Sequence, residues 1–210
     1  MIKILIADDH VIVREGLKQI VSETSDMIVA DEASSGHEVL KKVLKNDYDV
    51  IVLDISMPGR NGLDILAQLK TLRPNVIVLI LSMHPEEEYA MRAFKLGASG
   101  YLTKQSATDE LVAAIRKVSR GGRYVSSSLA EQLAFELAIG AEKEPHQMLS
   151  NREYQVLCMI AQGKLITQIA EELHLSTNTI STYRSRILEK MSMKKNAELI
   201  RYAIKNRIVE

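Results

Sequence analysis

What most constrains this chain is an alternation that fills its first 120 residues. Five short apolar runs, Ile2–Ala7, Met27–Ala33, Val50–Leu53, Val76–Leu81 and Ser99–Leu102, are each followed by a longer stretch with apolar residues at helical spacing. Those stretches are Val13–Glu23, His37–Asn46, Asn61–Arg73, Glu86–Leu96 and Thr108–Arg120. Near-continuous apolar runs suit strands buried on both faces, and intervening helices serve as crossovers between parallel strands. The pattern therefore predicts a doubly wound α/β unit with a five-stranded parallel sheet and helices on both faces. Gly121-Gly122 closes the last helix and sets this unit at residues 1–121.

In such sheets functional groups gather at the carboxyl ends of the strands. Asp8 and Asp9 end the first strand, Asp54 the third and Ser82 the fourth, and Lys104 follows the fifth. Neighbouring carboxylates repel one another unless a cation neutralises them, so the three acids form a hard oxygen site suited to Mg²⁺. A carboxylate can act as a nucleophile toward phosphorus. The ion and the Lys104 ammonium could offset charge on a transferred phosphoryl group, and Ser82 could donate its hydroxyl to a phosphoryl oxygen. One acid at a strand end is ordinarily a helix cap or a solvated loop acid. Five such groups in this order point to phosphoryl chemistry.

On these residues the first unit resembles the flavodoxin-like receiver domain of bacterial two-component response regulators. Asp54-Ile-Ser-Met-Pro58-Gly59 is similar to that family's phosphorylation loop, and Gly100-Tyr-Leu-Thr-Lys104 to its fifth-strand motif. The resemblance implies that Asp54 is phosphorylated by a sensor histidine kinase. It further implies that Asp9, Asp54 and the backbone carbonyl of Ser56 bind Mg²⁺, with Asp8 acting mainly through bound water. Tyr101 matches the aromatic residue whose rotamer accompanies the movement of Ser82; the alternative is a half-buried tyrosine that does not switch. Gln105 stands where the family often has proline. Ser56 and His84 occupy positions that influence how long the phosphoryl group survives.

Behind this unit, residues 122–147 read as a linker: Ser126–Ala138 has a helical pattern, and Gly140–Met148 is linker-like in composition. Residues 148–210 read as four short helices. Ser150-Asn-Arg-Glu153 is a capping box opening a helix through Gln162. Ile166–His174 and Thr177–Met191, joined by Leu175-Ser176, have the form of a helix-turn-helix, and Asn196–Asn206 is the fourth helix. In the third helix Ile180, Ile187, Leu188 and Met191 form the expected buried stripe.

The block from 148 to 210 resembles the LuxR-type DNA-binding domain, through Leu149-Ser-Asn-Arg-Glu153, Ile169-Ala170, Leu175-Ser176, Thr179-Ile180 and Lys190-Met191. The resemblance implies that Ser181, Thr182 and Ser185 read bases. It implies that Thr179, Tyr183, Arg184, Arg186 and Lys190 contact phosphates. Leu199, Ile200, Ala203 and Ile204 on the last helix are the expected dimerisation residues, part of that stripe packing on the domain itself. Many relatives have Lys where Ser181 stands and His where Tyr183 stands. Leu165-Ile166-Thr167 replaces a more polar helix start, with Thr167 as the expected cap.

Charge agrees with this division. The formal net charge is zero, yet residues 1–146 carry 17 Lys and Arg against 21 Asp and Glu, whereas residues 147–210 carry 10 against 6. A basic second part suits nucleic acid. A single cysteine, Cys158, excludes an internal disulfide framework and fits a reducing cytoplasm. The longest apolar run is far short of the ~20 residues that span a bilayer, and the acids at positions 8 and 9 do not fit a secretory signal.

Together the two resemblances describe a NarL/LuxR-type response regulator: a cytoplasmic, phosphorylation-controlled transcription factor rather than an enzyme. Its expected partners are a sensor histidine kinase, double-stranded DNA with a two-fold site, a second copy of itself when activated and, further along, RNA polymerase. No membrane partner is expected. The enzymatic alternative, a phosphatase of the haloacid dehalogenase kind, calls for an acid where Ser56 stands and a cap insertion that does not follow. A DNA-binding regulator whose receiver serves only for dimerisation is a third reading, against which the intact acidic pocket argues.

Overall fold

The computed structural model describes residues 1–57, 61–126, 129–131, 144–206 and 208–209, apart from the side chain of Glu87. The chain divides into two compact units, Met1–Ala130 and Glu131–Glu210.

In the first unit, strands β1 (Ile2–Ala7), β2 (Met27–Ala33), β3 (Val50–Asp54), β4 (Val78–Ser82) and β5 (Gly100–Thr103) alternate with helices α1 (Val11–Ser22), α2 (Gly36–Lys45), α3 (Gly62–Leu72), α4 (Glu86–Lys95) and α5 (Ala107–Ser119). The strands form one parallel sheet in the order β2-β1-β3-β4-β5, as the alternation predicts. β3 and β4 are buried along their whole length, which accounts for their unbroken apolar sequences. β2 is an edge strand and exposes part of its length, so Asp31 and Glu32 are tolerated there. Side chains alternate across each strand. Ile4, Ile6, Val50, Val52, Leu79 and Leu81 face α1 and α5 together with Leu17, Leu111, Ile115 and Val118.

β4 starts two residues later than expected. The Val76 amide bonds back to the Arg73 carbonyl in the turn after α3, and Ile77 contributes only its carbonyl, to Ile51. At the other edge, the stretch after α5 returns to the sheet. Tyr124 bridges Gly100 in parallel, accepting from the Tyr101 amide at 3.3 Å and donating to the Ser99 carbonyl at 2.9 Å. Its hydroxyl donates to Glu110 at 2.7 Å, and Lys117 stands 5.7 Å over its ring. A side chain at Gly100 would place its Cβ 2.8 Å from that of Tyr124, which is why glycine stands there. Part of the stretch read as linker thus packs on the first unit.

The helix expected over Ser126–Ala138 falls largely outside the described residues. Pro145–Met148, read as linker, forms a 3₁₀ turn with Pro145 in its first turn. The second unit then consists of α6 (Asn151–Ala161), α7 (Ile166–Glu172), α8 (Thr177–Lys190) and α9 (Asn196–Lys205). α6 is buried from Glu153 to Ile160 and packs against each of the other three helices. Its capping box forms as read, Ser150 accepting from the Glu153 amide and Glu153 from the Ser150 amide. Thr167 does not cap α7. The cap is Leu165, whose amide donates to the Gln168 side chain at 2.8 Å, leaving Thr167 inside the helix. His174 takes a left-handed conformation, φ 52°, which turns the chain sharply enough for Ser176 to cap α8.

Candidate functional site

Register builds the pocket of the first unit. Ala7 pairs with Leu53, so Asp8 and Asp54 emerge side by side from β1 and β3. Leu81 pairs with Asp54, and Ser82 pairs with Thr103, which places Ser82 and Lys104 next in line. Asp8 and Asp54 are each 1% exposed and Ser82 is wholly buried. Lys104 Nζ stands 2.6 Å from Asp8 Oδ2 and 2.8 Å from Asp54 Oδ2. Asp54 Oδ1 accepts from the Ser56 amide at 2.9 Å, and Ser82 Oγ from the His84 amide at 3.0 Å. The five expected residues Asp8, Asp9, Asp54, Ser82 and Lys104 are thus gathered at one end of the sheet.

Two buried carboxylates share one ammonium. Burial raises the Asp54 carboxyl above its ordinary range, and Lys104 only partly opposes this. Burial alone would lower the Lys104 ammonium, but Asp54 and Asp8 outweigh it and raise the group. Asp9 Oδ1 and Ser56 Oγ are screened from solvent and have no hydrogen-bond partner among the described residues. Surplus negative charge and orphaned oxygens fit a divalent cation. Atoms of Asp8, Asp9, His10 and Asp54 lie within 4.8 Å of one another, close enough to share an ion. His10 was not among the residues singled out from sequence. Its place directly after the acid pair was the available signal.

Tyr101 is buried, and its hydroxyl donates to the His84 carbonyl at 3.0 Å. Burial raises its pKa far above the ordinary tyrosine value. The loop that contributes Ser82 is therefore tied to β5 through Tyr101.

In the second unit α8 buries Ile180 and Ile187, with Met191 just beyond it, while Leu188 is half-buried. Ser181, Thr182, Ser185, Arg186 and Lys190 are exposed; Thr179, Tyr183 and Arg184 are half-buried. Two of the expected phosphate contacts already have partners within the domain. Arg184 Nε donates to Asn196 at 2.6 Å, and Lys190 Nζ donates to Glu153 Oε2 at 2.6 Å. Burial pushes the Glu153 carboxyl up, but Lys190 and the Ser150 amide outweigh it and hold it below its ordinary value. Arg186 makes no ion pair among the described residues. On α9, Leu199 and Ala203 are fully buried in the unit's own core, so only Ile200 and Ile204 of the four expected dimerisation residues contribute to its outer surface. They line a shallow apolar patch with Ala197 and Arg201.

The sheet order, the acidic strand ends and the helix-turn-helix together define a two-component response regulator. The chain belongs to that family, in its NarL/LuxR type. Residues 4–116 match the response regulator receiver domain and residues 147–203 the bacterial regulatory proteins of the luxR family. The family is one of regulators, not classical enzymes, which sets aside the phosphatase alternative.

Among its relatives, the response regulator UvrY of Escherichia coli K12 is 36% identical over 98% of this chain and 95% of its own length. The oxygen regulatory protein NreC of Staphylococcus carnosus is 34% identical over 99% of both. Among solved structures, RcsB of Salmonella enterica serovar Typhimurium, bound to the rprA promoter in the presence of the phosphomimetic BeF3⁻, is 25% identical. It matches with a TM-score of 0.63 over 96% of this chain and 97% of that one. No helix among the described residues is long and apolar enough to cross a membrane.

Proposed function

We propose that this chain is a cytoplasmic, phosphorylation-controlled transcription regulator whose receiver accepts a phosphoryl group on Asp54. The observation that carries the reading is the Asp54 carboxylate at the end of β3, buried beside Asp8 and 2.8 Å from the Lys104 ammonium. In the proposed transfer a carboxylate oxygen of Asp54 forms a bond to the phosphorus of a phosphohistidine on the sensor kinase. The N–P bond breaks, and the histidine keeps the electron pair and takes up a proton. Lys104 balances charge on the phosphoryl oxygens, and Ser82 donates its hydroxyl to one of them. Asp9, Asp54 and the Ser56 carbonyl would hold Mg²⁺, with Asp8 acting through water; the ion supplies charge neutralisation on the phosphoryl group. Tyr101 follows Ser82.

The proposed organisation is a receiver over 1–121, a linker over 122–147, part of it packed on the receiver, and an output domain over 148–210. Phosphorylation biases a two-state receiver, so that output domains dimerise on a two-fold DNA site and two copies of α8 reach adjacent half-sites. A solved structure of two RcsB dimers bound to two parallel DNAs supports that mode. Ser181, Thr182 and Ser185 are the proposed base readers, with Thr179, Tyr183 and Arg186 on phosphates. Arg184 and Lys190 can join them only by leaving or sharing their present partners. Ile200 and Ile204 are the proposed dimer contacts, and RNA polymerase is a proposed downstream partner.

The test is independent of the operator. Wild type and Asp54→Asn are incubated with acetyl phosphate, with and without Mg²⁺, and their intact masses compared. A Mg²⁺-dependent phosphoryl adduct on wild type alone is expected. Equal labelling of the two proteins would remove Asp54 from the role.

A further inference from the structure

β1 runs into α1 through Asp8, Asp9 and His10, and Arg14 in the first turn of that helix is bonded to both ends of this loop. Its amide donates to the His10 carbonyl at 3.2 Å. Its side chain is 13% exposed and reaches back toward the sheet. There Nη1 donates to the main-chain carbonyl of Asp8 at 2.7 Å, and Nε donates to Glu32 Oε2 at 3.3 Å. Glu32 is anchored in turn: it pairs with Ile6 across β1 and β2, and it accepts from the Lys18 ammonium at 2.8 Å. The guanidinium is thus a fork with one prong on the sheet and the other on the peptide that joins the two acids.

That peptide matters more for Asp9 than for Asp8. Asp8 is also fixed at its own amide, which donates to the Ala33 carbonyl at 3.1 Å, and at its carboxylate, which accepts from the His10 amide and holds Lys104. Asp9 follows the plane of the peptide before it, because a peptide unit is rigid and its carbonyl and the next Cα move together. By gripping the Asp8 carbonyl, Arg14 therefore sets the direction from which Asp9 enters the pocket. Two effects of opposite sign then act on a cation there. The Arg14 charge repels it, whereas the fixed loop spares it the ordering of a flexible ligand.

We propose that Arg14 is a positioning residue of the acidic pocket: through the Asp8 carbonyl it orients Asp9 for the divalent cation, and this outweighs its own charge. A planar fork is required, since a single donor cannot hold Asp8 and Glu32 at once. The inference rests on the pocket being the divalent-cation site proposed above.

The experiment titrates Mg²⁺ calorimetrically into the unphosphorylated full chain as wild type, Arg14→Gln, Arg14→Lys and Asp54→Asn, with circular dichroism to check that each is folded. Arg14→Gln should bind Mg²⁺ about tenfold more weakly, and Arg14→Lys should fall between it and wild type. In acetyl phosphate labelling of Arg14→Gln, the Mg²⁺ concentration for half-maximal rate should rise by the same factor, and excess Mg²⁺ should restore most of the rate. Equal or tighter Mg²⁺ binding by Arg14→Gln, as loss of its charge alone dictates, would overturn the role of Arg14 and leave the pocket standing. Wild-type affinity in Arg14→Lys would overturn it likewise, and that variant decides the matter if Arg14→Gln does not fold. Asp54→Asn should weaken Mg²⁺ whatever Arg14 does. Failure of Mg²⁺ to bind wild type would overturn the pocket and the inference together.

Discussion

Lys190 looks from sequence like one more cation for DNA, yet its ammonium closes a buried carboxylate. Glu153 is only 4% exposed in its side chain, while Lys190 is 41% exposed. Lys190→Met keeps the apolar stem and removes the charge, leaving Glu153 with the Ser150 amide and hydroxyl but no countercharge. Removing one partner of a fully buried pair costs about 3–5 kcal/mol, and an exposed pair contributes about 0–1 kcal/mol. With one buried and one half-exposed partner, the expected cost is about 2 kcal/mol. That corresponds to a loss of hydrogen-exchange protection of roughly thirtyfold, since 1.4 kcal/mol is tenfold. The assay is exchange mass spectrometry on the full chain, following peptides from α6 and α8.

The pH dependence has a definite sign. Glu153 is held below its ordinary value when folded, so its contribution is present above the unfolded pKa and is lost as pH falls through the folded one. The gap between wild type and variant should therefore narrow below about pH 4.3. Unchanged protection at pH 7, together with a DNA-binding salt slope reduced by about one, would refute the reasoning. Lys190 would then be a phosphate contact and nothing more.

Three further outcomes are expected. Burial raises Asp54, so its ionised form costs stability as pH rises through the raised value, and Asp54→Asn should relieve that cost. Without divalent ions the variant should melt higher at pH 7 by about 1 kcal/mol equivalent, the gain vanishing near about pH 4; a lower midpoint at pH 7 contradicts this. Gly62→Ala would place a Cβ 2.4 Å from Ile55 Cα and 2.5 Å from the Asp54 carbonyl oxygen, both rigid backbone. Thermal melts of the variant should show a loss of about 2–3 kcal/mol, together with slower acetyl phosphate labelling. Arg186→Ala should weaken DNA binding across all sequences and lower the salt slope by about one, as measured by fluorescence anisotropy at several ionic strengths.

The sheet and the pocket were legible because they follow from local sequence and one register rule. Unbroken apolar runs such as Val50–Leu53, alternating with helical stretches, mark strands buried on both faces, and parallel order then places Asp8, Asp54, Ser82 and Lys104 together. Contacts between distant residues without a local pattern were not legible. Glu153 shows its capping box in sequence, but nothing there shows that Lys190, 37 residues on, completes its carboxylate. Tyr124 joins the sheet as a single bridge, too short for any periodicity to reveal. Thr167 was misread because a hydroxyl near a helix start suggests a cap, whereas Gln168 reaches back to the Leu165 amide first. On α9 a helical stripe identifies apolar faces but not which of them the domain's own core takes, and it takes Leu199 and Ala203.

The bridge at Tyr124 also bears on how this protein avoids its own kind. A parallel sheet ends in two strands with unpaired amides and carbonyls, which invite strands from other molecules. On the β2 side Asp31 and Glu32 make that approach unfavourable. On the β5 side no charge stands on the strand itself, Gly100-Tyr-Leu-Thr103, and Tyr124 covers the edge by occupying the Ser99 carbonyl and the Tyr101 amide. A receiver cut after Gly121 would bare that edge, and chains so shortened would meet one another along β5.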